Sequence, residues 1–139
     1  MIEDIEFIKK RGQEFFEVAL ESFNKRRYNI SILHIEQALQ CFLKYLLGLR
    51  AGEWPKTHLL TLLLDEVIKI YKLKKFKKIY KDKILEIREL EDAYITSRYV
   101  NKEYKKEDIE KALETFYLII KTLENETKIQ LISKPSKKI

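Results

Sequence analysis

A chain of 139 residues has the length of one ordinary domain and can bury roughly two thirds of the surface that its unfolded form exposes. With 45% hydrophobic and 36% charged residues but only 3 Gly and 2 Pro, the composition disfavours a turn-rich sheet protein and favours helix. The net charge of +6 makes polyanions attractive partners without identifying one.

The N-terminal segment and the single cysteine indicate where the protein resides and which cysteine chemistry it can have. "MIEDIEFIKKRGQEFF" carries scattered charges and no apolar h-region, and no window approaches about 18 consecutive apolar residues. We therefore expect a cytoplasmic protein that does not span a membrane. Cys41 can form no internal disulfide, and its place in an apolar-periodic stretch favours a buried, inert thiol over a nucleophile.

The first two predicted helices lie on either side of "KRRYN". Apolar residues at helical spacing predict a first helix from about Ile2 to Asn24, in which Gly12 is the only weak point. A second apolar stripe from Ile32 to Leu46 stops near "GLRAGEWP", where two glycines and a proline accumulate. This segment is the clearest break in the chain.

Three more helices are predicted after the break. Thr57 can cap the third helix, which carries an apolar stripe. Helical spacing predicts a fourth helix from about Lys78 to Ser97 and a fifth from Glu107 to about Thr127.

Short connectors between five helices predict an all-α, antiparallel up-and-down bundle, with four helices in the body and the remaining one across or beside them. We expect a single domain over residues 1–128. The last residues, 129–139, include "ISKPSKKI", whose Ser, Pro and Lys predict a basic tail that frays.

Familiar enzyme signatures are missing from the sequence. None of the 3 glycines begins a phosphate-binding loop, and no serine-hydrolase elbow is present. His34 and His58 fall on different helices and lack the acidic neighbour, three or four residues later, that a metal-binding helix needs. We therefore expect no metal and no cofactor.

Three segments together resemble one family. The second helix carries "HIEQALQCFLKYLLGL", the next loop and helix carry "EWPKTHLLTLL", and the fourth helix ends in "DAYITSRYVNKEYKKEDIEKAL". In this order and spacing they resemble the HEPN domain, the higher eukaryote and prokaryote nucleotide-binding fold, in its small stand-alone prokaryotic form. The resemblance implies a helical bundle that dimerises and is often encoded beside a minimal nucleotidyltransferase.

The resemblance also implies a candidate chemistry. Many HEPN domains are metal-independent ribonucleases in which a histidine follows an arginine by four to six residues. Arginine can hold the scissile phosphate, and histidine, with an ordinary pKa of about 6.5, can move protons to or from the ribose hydroxyl. Arg98 matches this arginine, but Lys102, Glu103 and Tyr104 stand at the histidine positions. In a ribonuclease, Asn101, Lys102 or Tyr104 would have to replace the histidine.

Residues around Arg98 each allow a structural and a functional interpretation. Glu91, Tyr94 and Arg98 share a face of the fourth helix, where Arg98 either pairs with Glu91 or faces a cleft and contacts phosphate. Tyr99 either packs or stacks on a base. His58 matches the "TH" that opens the third helix in relatives, and we expect it to fix the turn through backbone hydrogen bonds rather than to transfer protons.

Two lysine features complete the candidates. Lys44 matches a lysine common in the family and can either snorkel from the edge of the core or reach an anion. The stretch "KLKKFKKIYKDK" interleaves lysines with apolar residues at helical spacing. We expect a solvated helix face there, with binding of nucleic acid or of an acidic partner as the alternative.

We therefore predict a HEPN-like homodimer that binds a nucleotide or RNA. It would be the partner of a minimal nucleotidyltransferase in a two-component, toxin-antitoxin-like system, without robust catalysis of its own. The predicted ligand-binding residues are Lys44, His58, Tyr94, Arg98, Tyr99 and Asn101. One alternative is a metal-independent endoribonuclease that uses Arg98 with a non-histidine partner. The other is a purely structural helical interaction protein.

Overall fold

Helices account for all the regular structure in the computed structural model, which describes residues 2–133 and the side chains of 5–133. The six helices are α1 (Ile2–Asn24), α2 (Tyr28–Ala51), α3 (Leu60–Tyr71), α4 (Lys74–Asp82), α5 (Ile84–Tyr99) and α6 (Lys106–Thr127). The all-α prediction is confirmed, with one helix more than the five expected. No helix in the described range has the length and apolar character needed to cross a membrane.

Helices α1 and α2 form an antiparallel hairpin, and they approach each other closely at Gly12. Near the turn, the hydroxyl of Ser31 donates a hydrogen bond to the carbonyl oxygen of Ala19 at 2.8 Å. Farther along, a Cβ on Gly12 would lie 3.0 Å from the Cβ of Cys41 and 3.2 Å from the ring of Phe42. The residue that weakens α1 by propensity therefore lets the two helices approach closely.

Helix α2 runs through the centre of the fold. It ends where the sequence predicts a break, because Gly52 takes a left-handed φ of 80° and donates its N–H to the carbonyl oxygen of Gly48. Side chains from α2 to α6 meet in one core. Its fully enclosed members include Phe42, Leu43, Leu46, Leu63, Leu64, Phe76, Ile87 and Phe116.

The predicted fourth helix, 78–97, is divided between two helices in the structure. Lys83 separates α4 from α5 by leaving the helical conformation, with φ −107° and ψ 18°. Glu126 of α6 caps α4, since its carboxylate accepts hydrogen bonds from the backbone N–H groups of Lys75 at 3.1 Å and Phe76 at 2.9 Å. Phe76 is fully buried and the lysines of α4 are exposed, which gives the solvated face that the spacing predicts.

The chain after α6 packs against the bundle as far as residue 133. Leu131 is fully buried, and its N–H donates to the carboxylate of Glu124 at 2.7 Å. Gln13 of α1 donates to the carbonyl oxygen of Leu131 at 3.2 Å. The segment predicted to fray from residue 129 is therefore anchored over its first part, and the rest of it, 134–139, lies outside the described residues.

Candidate functional site

Arg98 lies in the last turn of α5 with its guanidinium folded back over the helix end. Its Nε and Nη2 donate to the carbonyl oxygen of Tyr94 at 2.8 Å and 2.5 Å. The guanidinium carbon lies 4.4 Å from the ring centroid of Tyr94 and 4.8 Å from that of Tyr99. Arg98 is exposed and forms no ion pair with any described residue. Its charge is therefore positioned by one carbonyl and two rings and stays open to an anion.

His58 contacts the same tyrosine from the loop before α3. The two rings stack with their centroids 4.3 Å apart and their planes 10° from parallel. Tyr94 also contacts Arg98, so the imidazole of His58 and the guanidinium of Arg98 both lie against the same tyrosine ring. The fold thus brings a histidine to Arg98 from outside the segment that follows it.

The turn before α3 is formed by Thr57 rather than by His58. The hydroxyl of Thr57 accepts a hydrogen bond from the N–H of Leu59 at 3.1 Å, and Leu59 occupies the cap position predicted for Thr57. The ring nitrogens of His58 make no hydrogen bond with any described residue, and its side chain is exposed. The expected backbone role of His58 therefore belongs to its neighbour, and the imidazole is accessible.

Glu91 is held by α3 and not by Arg98. Its carboxylate accepts hydrogen bonds from the N–H of Thr61 at 2.8 Å and from the hydroxyl of Thr61 at 2.7 Å. Thr61 lies in the first turn of α3, whose N–H groups lack partners within the helix, so Glu91 caps α3 from α5. The alternative of a Glu91–Arg98 ion pair does not apply. Instead, Glu91 fixes the approach of α3 to α5, on which the contact between His58 and Tyr94 depends.

A buried carboxyl group on α2 lies close to this site. Glu36 is fully buried, and both of its oxygens accept from the side-chain amide of Gln40, at 2.9 Å and 2.7 Å. Burial raises the pKa of Glu36 to about 8, while the Gln40 hydrogen bond and the charge of Arg98 oppose the shift. Glu36 is therefore mainly protonated at neutral pH, within the electrostatic reach of Arg98.

Glu36 is a member of the site that sequence patterns did not identify. The available signal is a repeat: Glu36, Gln40 and Lys44 recur every four residues, which places them on one side of α2. Lys44 is half-buried, and its charge also lowers the pKa of Glu36. The predicted ligand-binding residue Lys44 thus continues a polar stripe in the core.

Asn29 of α2 holds the segment after α5 in place. The amide nitrogen of Asn29 donates to the carbonyl oxygens of Ser97 at 3.1 Å and Lys102 at 2.9 Å, while its Oδ1 accepts from the N–H of Tyr104 at 2.9 Å. Tyr104 is buried, and the Nζ of Lys102 lies 4.6 Å from its ring centroid. Asn101 is exposed. None of the three substitutes considered for the histidine makes a hydrogen bond or ring contact with Arg98.

Two further residues considered from the sequence lie on the α1–α2 side of the fold. His34 is half-buried, with Nδ1 2.9 Å from the carbonyl oxygen of Ile30 and its ring tilted against Phe15. Cys41 is half-buried, and burial raises the pKa of its thiol to about 11, so the thiol is protonated at neutral pH. Neither residue contributes to the site at Arg98.

Comparison with protein families gives a match over most of the chain. A family model described as the HEPN domain matches residues 5–126, which is most of the chain. No curated protein and no solved structure matches it. HEPN domains are helical, and their functions are generally related to nucleotides or RNA. The family resemblance of the three sequence segments is confirmed, and the chain belongs to the HEPN domain family.

Proposed function

We propose that this HEPN domain binds RNA or a nucleotide at the surface formed by His58, Tyr94, Arg98 and Tyr99, the Arg98 surface. The observation that carries the proposal is the guanidinium held against two tyrosine rings, one of which also stacks on His58. A guanidinium offers paired N–H donors to a phosphate, and an exposed ring offers a base a stacking face. Tyr99 is 73% exposed, so its ring is accessible to a base.

The Arg98 surface is also the place where we propose that two copies of the chain meet. Further large exposed apolar side chains lie within four residues of His58, Tyr94 or Tyr99 in the chain, namely Leu59, Leu62, Ile95 and Val100. Single exposed apolar residues are ordinary, but a group of them around one site favours an interaction surface. HEPN domains often dimerise, and a two-fold interface here would bring two copies of Arg98 to one cleft.

Beyond binding, we propose a role as partner of a minimal nucleotidyltransferase in a two-component, toxin-antitoxin-like system. Family membership supports this role, together with the residues after Arg98, which include no histidine four to six positions later. Asn29 holds Lys102 and Tyr104 by their backbone, and neither side chain contacts Arg98. A domain that holds phosphate without a proton carrier in this segment is suited to presenting a substrate rather than cleaving it.

The contact between His58 and Tyr94 supports a second candidate, a metal-independent endoribonuclease. An imidazole titrates near neutral pH and can accept the proton of a ribose 2′-hydroxyl while an arginine holds the neighbouring phosphate. In this mechanism His58 takes the role of the histidine that HEPN ribonucleases carry after the arginine. It is a better candidate than Asn101, Lys102 or Tyr104, because only His58 shares a contact residue with Arg98.

The experiment that tests the binding proposal is fluorescence anisotropy with a labelled single-stranded RNA in chelator. Arg98→Ala is expected to weaken binding by about tenfold or more, because it removes a charge-assisted phosphate contact. The matched control is Arg88→Ala, an exposed arginine of the same helix, which removes the same charge and should change the affinity by less than about twofold. Equal losses in the two variants would reduce the effect to net charge and would reject the site.

The dimer proposal is tested separately by light scattering. Wild-type protein should have the molar mass of two chains, and Ile95→Glu should have the mass of one, since it puts a charge into the proposed apolar interface. A wild-type monomer at micromolar concentration would contradict the dimer while leaving the RNA measurement valid.

A further inference from the structure

A groove between α5 and α6 lies apart from the Arg98 surface. Two adjoining cavities, of about 200 Å³ and 430 Å³, share Glu86, Glu89, Lys111 and Thr115 as lining residues. The first cavity extends past Asp92 to the end of α5. Two of its lining residues, Asp92 and Thr96, stand two positions before Tyr94 and Arg98, which is a rotation of about 200° around the helix. The groove therefore opens on the other side of α5.

Carboxylates without direct partners line this groove. Glu86, Glu89 and Asp92 follow one another every third residue, so they span about 9 Å along α5. None of the three accepts a hydrogen bond from a described residue or forms an ion pair with one.

Nearby lysines do not neutralise these carboxylates by contact. Lys102 places its Nζ over the ring of Tyr104 instead, and Lys83 and Lys111 form no ion pair with described residues. A protein of net charge +6 thus keeps a row of unpaired negative charges on one concave surface.

The floor of the groove contains Thr115, a buried residue whose hydroxyl has no hydrogen-bond partner within the described chain. Thr115 is only 5% exposed and lines both cavities, yet its hydroxyl makes no hydrogen bond within the described chain. Fully enclosed polar side-chain atoms in the described chain all have partners, so this hydroxyl must open into the groove. A donor or acceptor from outside the chain can therefore reach this hydroxyl only through the groove.

The negative potential of the groove also acts on Tyr104. Burial raises the pKa of its phenol above the ordinary value, and the neighbouring charges of Asp108, Asp92 and Glu89 raise it further, against a lowering effect of a hydrogen bond with Thr96. The carboxylates of α5 and the first turn of α6 therefore act on one shared space.

We propose that this groove binds an aliphatic polyamine. Its ammonium groups would pair with Glu86, Glu89 and Asp92 and donate to the hydroxyl of Thr115, while its methylene chain would lie against the apolar lining residues Ile32, Leu90 and Ala112. Carboxylates spread along a helix suit a cation whose charges are spread along a chain. They do not suit a single metal ion, because no group of three or more metal-ligating side chains gathers within residues 5–133.

The proposal is tested by isothermal titration calorimetry with spermidine at neutral pH and low ionic strength. Glu89→Gln and Asp92→Asn should each weaken spermidine binding by about fivefold or more, and Thr115→Val should weaken it by about threefold. The control Glu21→Gln removes one exposed carboxylate from α1 and should leave binding within about twofold of wild type. Thermal melting checks that each variant is folded. If Thr115→Val unfolds, the two exposed-carboxylate variants still decide the result.

Three outcomes would overturn the polyamine site. One is the absence of heat with spermidine at millimolar concentration. Another is an equal loss of affinity in Glu21→Gln and Asp92→Asn, which would show general charge attraction. The third is binding of a lysine-rich peptide without binding of spermidine, which would make the groove a protein-docking surface. RNA binding by the Arg98 surface is measured independently, so its failure and the failure of the polyamine site are distinguishable.

Discussion

His58 stacks on Tyr94 with ring centroids 4.3 Å apart, and this contact brings an imidazole from the α2–α3 loop to the arginine at the end of α5. HEPN ribonucleases carry their histidine in the segment after the arginine. In this chain that segment carries no histidine and is bound by Asn29. Here the packing of α3 on α5 places an imidazole and a guanidinium, those of His58 and Arg98, against one tyrosine ring.

The first prediction concerns RNA cleavage in chelator. If the wild type cleaves RNA, His58→Ala should lower the rate by about 100-fold or more, the range expected for loss of a general base. His34→Ala is the matched control, because it removes the other histidine, which is bound to Ile30 away from Arg98, and it should retain the rate. Cleavage on a denaturing gel measures both. Equal rates in the two variants would exclude His58 as the proton carrier.

The second prediction concerns the pH dependence of stability. Burial raises the pKa of Glu36 from its ordinary value of 4.5 to about 8, with Gln40, Arg98 and Lys44 opposing the shift and Glu91 adding to it. Between these pH values the folded chain holds a proton that the unfolded chain releases. The free energy of unfolding should therefore fall as pH rises, by up to about 1.4 kcal/mol per pH unit from this group.

Glu36→Gln isolates this contribution, since its amide cannot ionise. The stabilisation from the protonated carboxyl is complete below the ordinary pKa and is lost as pH rises through the folded value. Urea unfolding of both proteins across this range should show wild type losing stability relative to Glu36→Gln. Parallel pH profiles would mean that Glu36 is not protonated in the fold.

The third prediction concerns the cap that Glu91 provides for α3. Glu91→Ala should lower the free energy of unfolding by about 2 kcal/mol, because the N–H and hydroxyl of Thr61 lose a charged acceptor. Glu89→Ala, an exposed carboxylate without a hydrogen bond on the same helix, should cost less than about 0.5 kcal/mol. Denaturant unfolding distinguishes them, and equal costs would show that the interhelical cap contributes no stability.

The fourth prediction concerns the close approach at Gly12. By helix propensity alone, Gly12→Ala would stabilise α1 by about 0.5 to 1 kcal/mol. The added Cβ would instead press on Cys41 at 3.0 Å and on Phe42 at 3.2 Å, so the net effect should be a loss of about 1 to 3 kcal/mol. Lys10→Ala, on an exposed position of α1, should stay within about 0.5 kcal/mol of wild type. A more stable Gly12→Ala protein would contradict the packing of α1 on α2.

Apolar periodicity predicted where the helices run better than local signals predicted where they start. The first helix has the predicted limits, and α6 begins one residue before its predicted start. The starts of α3 and α4 differ because their caps come from other helices, from Glu91 and Glu126. A carboxylate thirty or fifty residues away in sequence leaves no local pattern at the helix start that it caps.

In the site, too, contacts within one helix were predictable from the sequence and contacts between helices were not. The four-residue spacing of Tyr94 and Arg98 predicts that they share a helix face, and they are in contact. The approach of His58 depends on how α3 packs against α5, which no spacing within one helix encodes. The repeat of Glu36, Gln40 and Lys44 shows a shared helix side, but only the fold shows that Glu36 is buried without an ion pair.

The most direct test of the Arg98 surface is a nuclear magnetic resonance titration that follows the ring C–H signals of both histidines as single-stranded RNA is added. The chain has 2 histidines, one stacked on Tyr94 and one bound to Ile30, so each measurement contains its own control. If RNA binds at the Arg98 surface, the His58 signals will shift with RNA concentration while the His34 signals stay in place. RNA binding that moves only the His34 signals, or neither set, would contradict this site.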